Sequence, residues 1–569
     1  MSLPLTWRSL MPPILPALTL LALLGPVMAG LVGTVMAGFG HLPAAGLTGP
    51  STEPFRALWN WPGIVPAVRL SLQTGVAATL ISLFVVVLLV AGWAGTRPFR
   101  LLLRLLSPLL SVPHAAAAFG LLFLIQPSGW IARGLSPWLS GWDRPPDLLL
   151  VQDPMGIALI AGLVAKEVPF LLLVTLAALG QIDSDGRQKV TTALGYGRIA
   201  GWLFTVLPAL YPRIRLPVYV VLAYSMSVVD VAMILGPNTP PPLSVQIVRW
   251  MGDPDLKMRS LASAAALAQL ALVVSALMVW RLAEVTTGQI ARHMAYRGNR
   301  WAGDGWLRAA SLGLGTVSVL AILTGLLGLA VWSFAARWNF PAVLPEALSL
   351  KTWHRSAPVA LATLGTTLAI AGSATLIGLV LTIGCLETEE RRHLRLTQRG
   401  LWLLYLPLLI PQTAFLPGMQ TGLLNFGVDG TIWAVVLAHL VFVLPYLRLS
   451  LEGSYKSWDA RQAAVAAAMG ASASRIFLSL RLPMLLAPIL TACAVAMAVS
   501  VGQYLPTLLV GGGRVQTLTT EALALAAGGD RRVIGVYALL QAAIALLPFA
   551  LALALPALVW RNRRGMQHG

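Results

Sequence analysis

Uncharged apolar blocks, each long enough to cross a lipid bilayer, recur along this chain. Residues 75–95 and residues 538–560 contain no Asp, Glu, Lys or Arg. Because an α-helix rises ~1.5 Å per residue, about 20 apolar residues cover the ~30 Å hydrocarbon core of a membrane. About ten further segments meet the same requirement. The predicted spans lie near residues 12–37, 64–94, 108–127, 155–180, 214–236, 260–280, 310–333, 357–385, 401–418, 431–452, 486–509 and 533–559.

The composition points the same way. Of the 569 residues, 57% are hydrophobic and 11% are charged, whereas soluble proteins carry about 25% charged residues. We therefore predict an all-α polytopic membrane protein with about 12 transmembrane helices. Cys385 and Cys493 fall in or beside apolar spans, so we expect neither a disulfide nor a metal site nor a redox pair.

The net charge of +19 is compatible with nucleic-acid binding or with orientation in a membrane. If the N-terminus is cytoplasmic, about two thirds of the Lys and Arg residues lie on the cytoplasmic side, as the positive-inside rule requires. No aromatic-rich basic patch supports a nucleic-acid partner. We therefore predict a multi-pass protein of a bacterial inner membrane, with both termini cytoplasmic and no nucleic acid bound.

Two stretches of the sequence repeat one another. The first repeated loop is Lys189–Pro208 and the second repeated loop is Ala464–Pro483. Each has Gly at its seventh position, Gly195 or Gly470, and each ends in Leu-Pro. The separation of the two glycines is close to half of the chain.

Shorter matches flank both repeated loops. They pair Pro169-Phe170 with Pro445-Tyr446, Gly252-Asp253 with Gly529-Asp530, Gln269 with Gln541, Ala78–Leu83 with Ala374–Leu379, and Pro113-His114 with Pro411-Gln412. We predict a duplicated unit of six spans: residues 1–285, a basic cytoplasmic linker at 286–308, and residues 309–569. Six spans preserve orientation, so the halves are parallel repeats that can face each other around a central path.

Each repeated loop is predicted to form two short helices that break at its glycine. Ala466–Met469 is a strong helix former, and Gly470 can adopt the reversed conformation that other residues resist. Leu-Pro then ends the second helix and starts the next span, because Pro is tolerated in the first helical turn. An elbow lying flat in the lipid headgroups is the simpler alternative for such a pair of helices.

The spacing of these loops resembles the EAA loop of ABC-importer permeases, in which Glu-Ala-Ala precedes Gly and, further on, Leu-Pro. The Gly, the spacing and the Leu-Pro are present in both copies here. The Glu-Ala-Ala positions instead read Lys189–Thr191 and Ala464–Ala466, and the last apolar position is Thr205 in the first copy. The salt bridge that the family's Glu provides is therefore not predicted here.

The resemblance covers nearly the whole chain and points to the fused, two-domain permeases of binding-protein-dependent importers for iron(III), thiamine and related small solutes. It implies that the loops dock on two copies of a separate ATPase, which would hold ATP and Mg. It also implies a separate periplasmic solute-binding protein. The coupling residues it implies are Gly195, Tyr196, Leu207, Pro208, Gly470, Ala471, Leu482 and Pro483.

Two other classes remain as alternatives. A twelve-span secondary transporter driven by an ion gradient has a similar architecture, but its usual Gly-Asp-Arg motif between spans two and three is replaced by Gly95-Thr96-Arg97. A membrane enzyme would need paired carboxylates, a His cluster or an activated Ser, and none stands out. The chain has no G-x-x-x-x-G-K-[ST] phosphate loop, so we predict that it is not itself an enzyme and that ATP hydrolysis occurs on a separate subunit.

Ionisable residues inside a membrane cost roughly 2.5–3.5 kcal/mol each and usually line a cavity. The candidates for a translocation path are Asp230, Gln503, Tyr504, His114, Gln412, Lys166, Glu167 and His439. Asp230 is the strongest of these, because the resemblance places the gate on the middle spans. Lys166 and Glu167 can equally be packed contacts between helices, and His114 and His439 can be buried hydrogen-bonded residues.

Overall fold

A computed structural model describes residues 14–298, 300–392, 398–526 and 528–559 of the chain. The predicted start of the first span at residue 12, the start of the first half and the end of the second half lie outside the described residues.

The first half contains thirteen helices among the described residues. They are α1 Ile14–Gly38, α2 Glu53–Asn60, α3 Ile64–Trp93, α4 Arg97–Leu109, α5 His114–Ile125, α6 Trp130–Leu135, α7 Ile157–Leu179, α8 Ser184–Ala193, α9 Arg198–Thr205, α10 Leu207–Ser227, α11 Asp230–Leu235, α12 Leu243–Met251 and α13 Met258–Tyr296.

The second half continues the series and adds one small hairpin. Its helices are α14 Gly305–Phe334, α15 Lys351–Arg391, α16 Gln398–Leu409, α17 Gln412–Asn425, α18 Ile432–Lys456, α19 Ala460–Ala468, α20 Ala473–Ile476, α21 Leu482–Met484, α22 Leu486–Val501, α23 Leu505–Gly511, α24 Leu518–Ala526 and α25 Arg531–Val559. Strands β1 Ala335–Arg337 and β2 Ala347–Leu348 pair antiparallel.

Nine helices in the described ranges are long and apolar enough to cross a membrane, and the number rises to twelve if three bent pairs each form one span. The bent pairs are Arg198–Thr205 with Leu207–Ser227 at 69°, Trp402–Leu409 with Gln412–Asn425 at 88°, and Ala473–Met484 with Leu486–Val501 at 71°. The prediction of an all-α polytopic protein with about 12 spans is confirmed.

The first helix of each half packs against the other half. Helix α1 lies along α17, and an added Cβ on Gly33 would come within 2.9 Å of the Gly418 Cα. Helix α14 lies along α5, where a Cβ on Gly120 would come within 2.8 Å of the backbone carbon of Gly325. Small residues let helix backbones approach closely inside membranes. The two halves are therefore joined by close helix contacts at both of these crossings.

Hydrogen bonds recur at corresponding positions of the two halves. The amide of Leu243, at the start of α12, donates to Ser71 Oγ at 3.0 Å. The amide of Leu518, at the start of α24 in the second half, donates to Thr367 Oγ1 at 3.0 Å. In both halves the short helix is thereby attached to the second long span, α3 or α15.

Helix α4 precedes the third span of the first half and was not predicted, whereas α16 covers the first part of the predicted span 401–418. In α4 the side chains of Phe99, Leu102 and Leu106 are buried, while Arg100 and Arg104 are exposed. This spacing gives an amphipathic helix with one apolar face. The predicted loop of the first half between spans two and three is therefore a surface helix.

The predicted linker at 286–308 is mostly helical. Helix α13 continues to Tyr296 and α14 begins at Gly305, and the described residues between them, 297–298 and 300–304, are non-helical. Of these, residues 300–304 pack against the first repeated loop, as described below. This short stretch connects the two halves without a long tether.

Candidate coupling loops and translocation path

The first repeated loop contains the predicted helix–Gly–helix turn. Helix α8 ends before Gly195, which has a φ of +84°. The Gly195 amide donates to the Thr192 carbonyl at 3.0 Å, and the Tyr196 amide donates to the Thr191 carbonyl at 3.1 Å. These two bonds form a Schellman motif, which needs a left-handed residue at the position of the glycine.

The second repeated loop has the same geometry. Gly470 has a φ of +83°. Its amide donates to the Ala467 carbonyl at 2.9 Å, and the Ala471 amide donates to the Ala466 carbonyl at 3.0 Å. Glycine reaches this φ without the steric penalty that a Cβ brings. The two loops therefore share one turn, set by glycines at matching positions.

The Leu-Pro pairs behave differently in the two copies. In the first, Leu207 and Pro208 start the long helix α10 as predicted. In the second, Leu482 and Pro483 lie in the three-residue helix α21, and the chain bends after them, before α22 begins. A π-helical stretch at Phe477–Arg481 precedes α21. The extra turn of helix moves the second bend beyond the Leu-Pro pair.

Both loops expose apolar side chains at matching positions. Val190 and Leu194 are 61% and 56% exposed in the first loop, and Val465 and Met469, at the corresponding positions of the second loop, are 59% and 78% exposed. Each pair lies four residues apart on one helix, so both members share a face. The two loops thus present equivalent small apolar surfaces that this chain does not cover.

An arginine ties the first loop to the end of α3. Arg198 Nη2 donates to the Ala94 carbonyl at 2.8 Å, and Arg198 Nε donates to the Ala91 carbonyl at 3.3 Å. These carbonyls are at the C-terminal end of the helix, where cations are favoured. Asp304 from the linker also contacts this loop, since its Oδ2 accepts from the Ile199 amide at 2.6 Å.

A different arginine ties the second loop to the matching end of α15. Arg481 Nη1 donates to Glu387 Oε2 at 3.0 Å, and both side chains are buried. Glu387 also accepts from Arg391 Nε at 2.7 Å and from the Tyr455 hydroxyl. The Arg481 guanidinium stacks over the Tyr455 ring at 4.1 Å. A buried ion pair thus replaces the carbonyl contacts of the first loop.

Spans five and eleven are interrupted at corresponding places. Helix α10 ends at Ser227 and α11 starts at Asp230, whereas α22 ends at Val501 and α23 starts at Leu505. The Tyr504 hydroxyl, at the second interruption, contacts Met233 Sδ of α11, the helix after the first interruption, at 3.6 Å. The two broken spans therefore meet between the halves.

Asp230 lies at the first interruption and is only 8% exposed. It interacts electrostatically with His114 and with Tyr504. His114 Nε2 is 3.7 Å from Glu167 Oε1, and the His114 ring lies 5.0 Å from the ring of Tyr224. The structure thus brings four of the sequence-derived candidates, Asp230, His114, Glu167 and Tyr504, into one central polar region.

The remaining candidates have other surroundings. Lys166 Nζ donates to the carbonyls of Leu109 and Val112 at 3.1 and 2.6 Å. His439 is buried between Ser500 Oγ and Thr507 Oγ1, at 2.7 and 2.9 Å from its ring nitrogens. Both residues therefore link helices within one half.

Gln412 and Gln503 lie at helix starts. Gln412 is the first residue of α17, directly after Pro411. Gln503 lies in the interruption before α23, and its carbonyl accepts from Thr507 Oγ1 at 2.9 Å. Both side chains are half-buried. Both residues therefore lie next to a break between two consecutive helices.

Several residues at these sites were missed from the sequence. Tyr224 joins the central region, and Arg198 and Arg481 anchor the loops. Glu387 accepts from Arg481, and Asp304 accepts from the Ile199 amide. Glu387 offered a signal, because it follows the apolar run of span eight. Asp304 offered none, since it contacts a loop 105 residues earlier.

The amino-acid sequence matches known transport proteins. A family described as "Binding-protein-dependent transport system inner membrane component" matches residues 374–559. The "Inner membrane ABC transporter permease protein YnjC" of Escherichia coli (strain K12) is 30% identical over 524 residues, which cover 91% of this chain and 93% of that protein. The chain belongs to this family of ABC transporter permeases. It is therefore a multi-pass, fused ABC permease of the inner membrane.

Two further relatives of this permease match over a shorter region. The "Molybdenum transport system permease protein ModB" from Mycobacterium tuberculosis and from Mycobacterium bovis is 38% identical over 81 residues. The match covers 14% of this chain and 31% of each relative. It supports the same family for part of the permease.

Proposed function

We propose that this permease is the translocating subunit of an ATP-driven importer and that its two repeated loops couple it to two copies of a separate ATPase. The observation that carries the proposal is the matched pair of loops. Both have the same Schellman turn, and both expose two apolar side chains at corresponding positions. Two copies of one partner fit two equivalent docking surfaces, as in pseudo-symmetric assemblies.

The internal duplication supports this arrangement. We infer that residues 1–285 and 309–569 are parallel six-span halves joined at 286–308, because helices, turns and hydrogen bonds recur at corresponding positions of both. Both loops attach to the second long span of a half, through Arg198 or Arg481. A movement of the ATPases would reach the spans through these anchors. The termini would be cytoplasmic, on the side of the ATPases.

The solute would pass between the halves, at the interruptions of spans five and eleven. Asp230 and Tyr504 lie at the two interruptions and interact electrostatically, and His114 pairs with Glu167 in the same region. A periplasmic binding protein would deliver a small solute to the outer side. The sequence resemblance supports iron(III) or thiamine as the solute, and ATP with Mg would bind only to the partner ATPase.

The docking surface can be tested by substitution. The tagged chain is purified in mild detergent, and the co-purifying proteins are identified and quantified by mass spectrometry. We expect a P-loop ATPase at two copies per chain, and we expect the double variant Val190→Asp/Val465→Asp to lower its recovery at least tenfold. Charged side chains cannot be buried in an apolar contact without a large penalty.

Val343→Asp is the matched control, because Val343 is 48% exposed on the external hairpin. It should leave recovery of the ATPase unchanged. If the unmodified chain, the double variant and the Val343→Asp control all co-purify with equal amounts of ATPase, the assignment of the docking surface is wrong.

A further inference from the structure

The two repeated loops begin their second helices differently. In the second loop, Ser472 precedes α20 and its Oγ accepts from the Arg475 amide at 3.3 Å. This is an N-cap, which satisfies a backbone donor at the start of a helix. Gly197 occupies the matching position of the first loop and has no side chain to cap α9.

A residue of the linker supplies the missing cap. Asp304 Oδ2 accepts from the Ile199 amide at 2.6 Å, in the first turn of α9. A carboxylate at this place satisfies a free amide and interacts favourably with the positive end of the helix. The Gly197 amide, just before it, donates to the Arg300 carbonyl at 2.9 Å. Both ends of the segment 300–304 therefore hold the start of α9.

The contact is tight. A Cβ on Gly197 would lie 2.3 Å from the Trp301 carbonyl oxygen, so only glycine permits this approach. Trp301 itself has a φ of +46°, a region in which bulky residues are outliers. Such a conformation persists only where the surroundings impose it. Here the docking of residues 300–304 on the first repeated loop imposes the positive φ of Trp301.

The start of α14, directly after this segment, is bonded to the end of α3. The Trp93 indole donates to the Arg308 carbonyl at 2.8 Å, and Arg308 Nε donates to the Gly92 carbonyl at 3.3 Å. The Arg308 guanidinium lies 5.0 Å from the Trp93 ring centroid. Since Arg198 contacts Ala91 and Ala94 next to these residues, the linker, the first loop and the end of α3 form one cluster.

We propose that linker residues 300–304 are a positioning element of the first coupling loop and that Asp304 is its helix cap. The connection between the halves then sets the orientation in which one of the two loops meets its ATPase. The second loop is positioned without the linker, by Ser472 and by the Arg481–Glu387 pair. This inference rests on the proposed coupling function of the loops.

Asp304→Ala tests the cap, with Asp304→Asn as the conservative variant because the amide oxygen can still accept. Amide hydrogen exchange of the purified full chain is measured for residues 198–205 and 473–484. Loss of an N-cap increases helix opening about fivefold. We expect Asp304→Ala to speed exchange about fivefold in 198–205 alone, Ser472→Ala to do so in 473–484 alone, and Asp304→Asn to restore slow exchange.

Recovery of the ATPase gives the functional readout. Asp304→Ala should lower it about fivefold at an unchanged thermal unfolding midpoint, and Asp304→Asn should restore it to within twofold. Arg292 is an exposed residue of the same linker, and its Nε donates to the Gly288 carbonyl of its own helix. Arg292→Ala should have no effect. A lower unfolding midpoint, or faster exchange in both loops, would show a general structural role and overturn the inference.

Cleavage of the linker distinguishes two roles: residues 300–304 can cap α9, or the intact linker can act as a tether between the halves. A protease site introduced between Tyr296 and Gly298 allows the linker to be cut before the docked segment. Residues 300–304 remain joined to α14 after this cut, so we expect exchange in 198–205 and recovery of the ATPase to be unchanged. A loss equal to that of Asp304→Ala would mean that the linker acts as a tether.

The inference and the proposed function fail separately. If Asp304→Ala changes nothing while Val190→Asp/Val465→Asp lowers recovery of the ATPase, the loops still couple and the positioning role is wrong. If neither change affects recovery, the coupling function itself is wrong.

Discussion

Arg481 and Glu387 form a buried ion pair, with 3.0 Å between Nη1 and Oε2, that joins the second repeated loop to span eight. The pairing of Ala78 with Ala374 places Glu387 opposite Ala91 of the first half. Ala91 also receives an arginine from its loop, Arg198, but through its backbone carbonyl. Each half therefore anchors its loop at the corresponding point of its second long span, α3 or α15. The first anchor is a bond to a backbone carbonyl, and the second is an ion pair.

We expect Arg481→Met to destabilise the protein by about 3 kcal/mol, because removing one partner of a buried pair leaves the other charge poorly compensated. Arg391 still contacts Glu387, which keeps the loss at the lower end of the range. Thermal unfolding of the detergent-purified chain measures it. Arg461→Ala removes an exposed pair with Asp459 and should not shift the transition; equal shifts would contradict a buried anchor.

The left-handed glycines lead to a second prediction. Pro cannot adopt the φ values of +84° and +83° found at Gly195 and Gly470, because its ring fixes φ near −65°. Gly195→Pro or Gly470→Pro should therefore abolish ATPase stimulation in the reconstituted complex while leaving membrane insertion intact. Gly422→Ala, where a Cβ meets open space, is the control. Full stimulation in either proline variant would mean that the turn is not needed for coupling.

The close helix contacts between the halves lead to a third prediction. A side chain at Gly120 or Gly418 would overlap the backbone of the opposing helix, and overpacking typically costs about 1–3 kcal/mol. Gly120→Val and Gly418→Val should each lower the unfolding temperature of the purified chain. Gly372→Ala faces open space and should not. Unchanged stability in both valine variants would exclude a tight interface at these crossings.

The central polar region leads to a fourth prediction. Glu167→Gln and Asp230→Asn keep shape but remove charge, so they should reduce uptake at least tenfold without changing recovery of the ATPase. Lys166→Met should instead lower stability by about 2 kcal/mol, because carbonyls that now accept from a buried charged donor lose their partner. Uptake by vesicles and thermal unfolding separate the two outcomes. Normal uptake in both carboxylate variants would remove this region from the path.

Local features of the fold could be predicted from the sequence. The apolar blocks gave the spans, and the spacing around Gly195 and Gly470 gave the turn, because both depend on neighbouring residues and on the allowed backbone angles. The bends at the elbows also follow from the Leu-Pro pairs, although the second bend is displaced beyond Pro483.

Contacts between distant segments could not be predicted in the same way. The packing of Gly33 on Gly418, the cap from Asp304 to Ile199 and the partners of His439 join residues far apart in the chain. Apolar periodicity says that a helix is buried but not which helix covers it. A polar residue in a span likewise has several possible partners, so the sequence does not show that Lys166 bonds to carbonyls at the end of α4.

The most direct test of the central claim is solute uptake by proteoliposomes that contain the purified chain, its co-purifying ATPase and its binding protein. We expect uptake to require ATP and Mg inside the same compartment as the ATPase, and to be insensitive to collapse of proton and sodium gradients. Uptake by the chain alone, driven by an ion gradient and indifferent to ATP, would contradict the account and identify a secondary transporter.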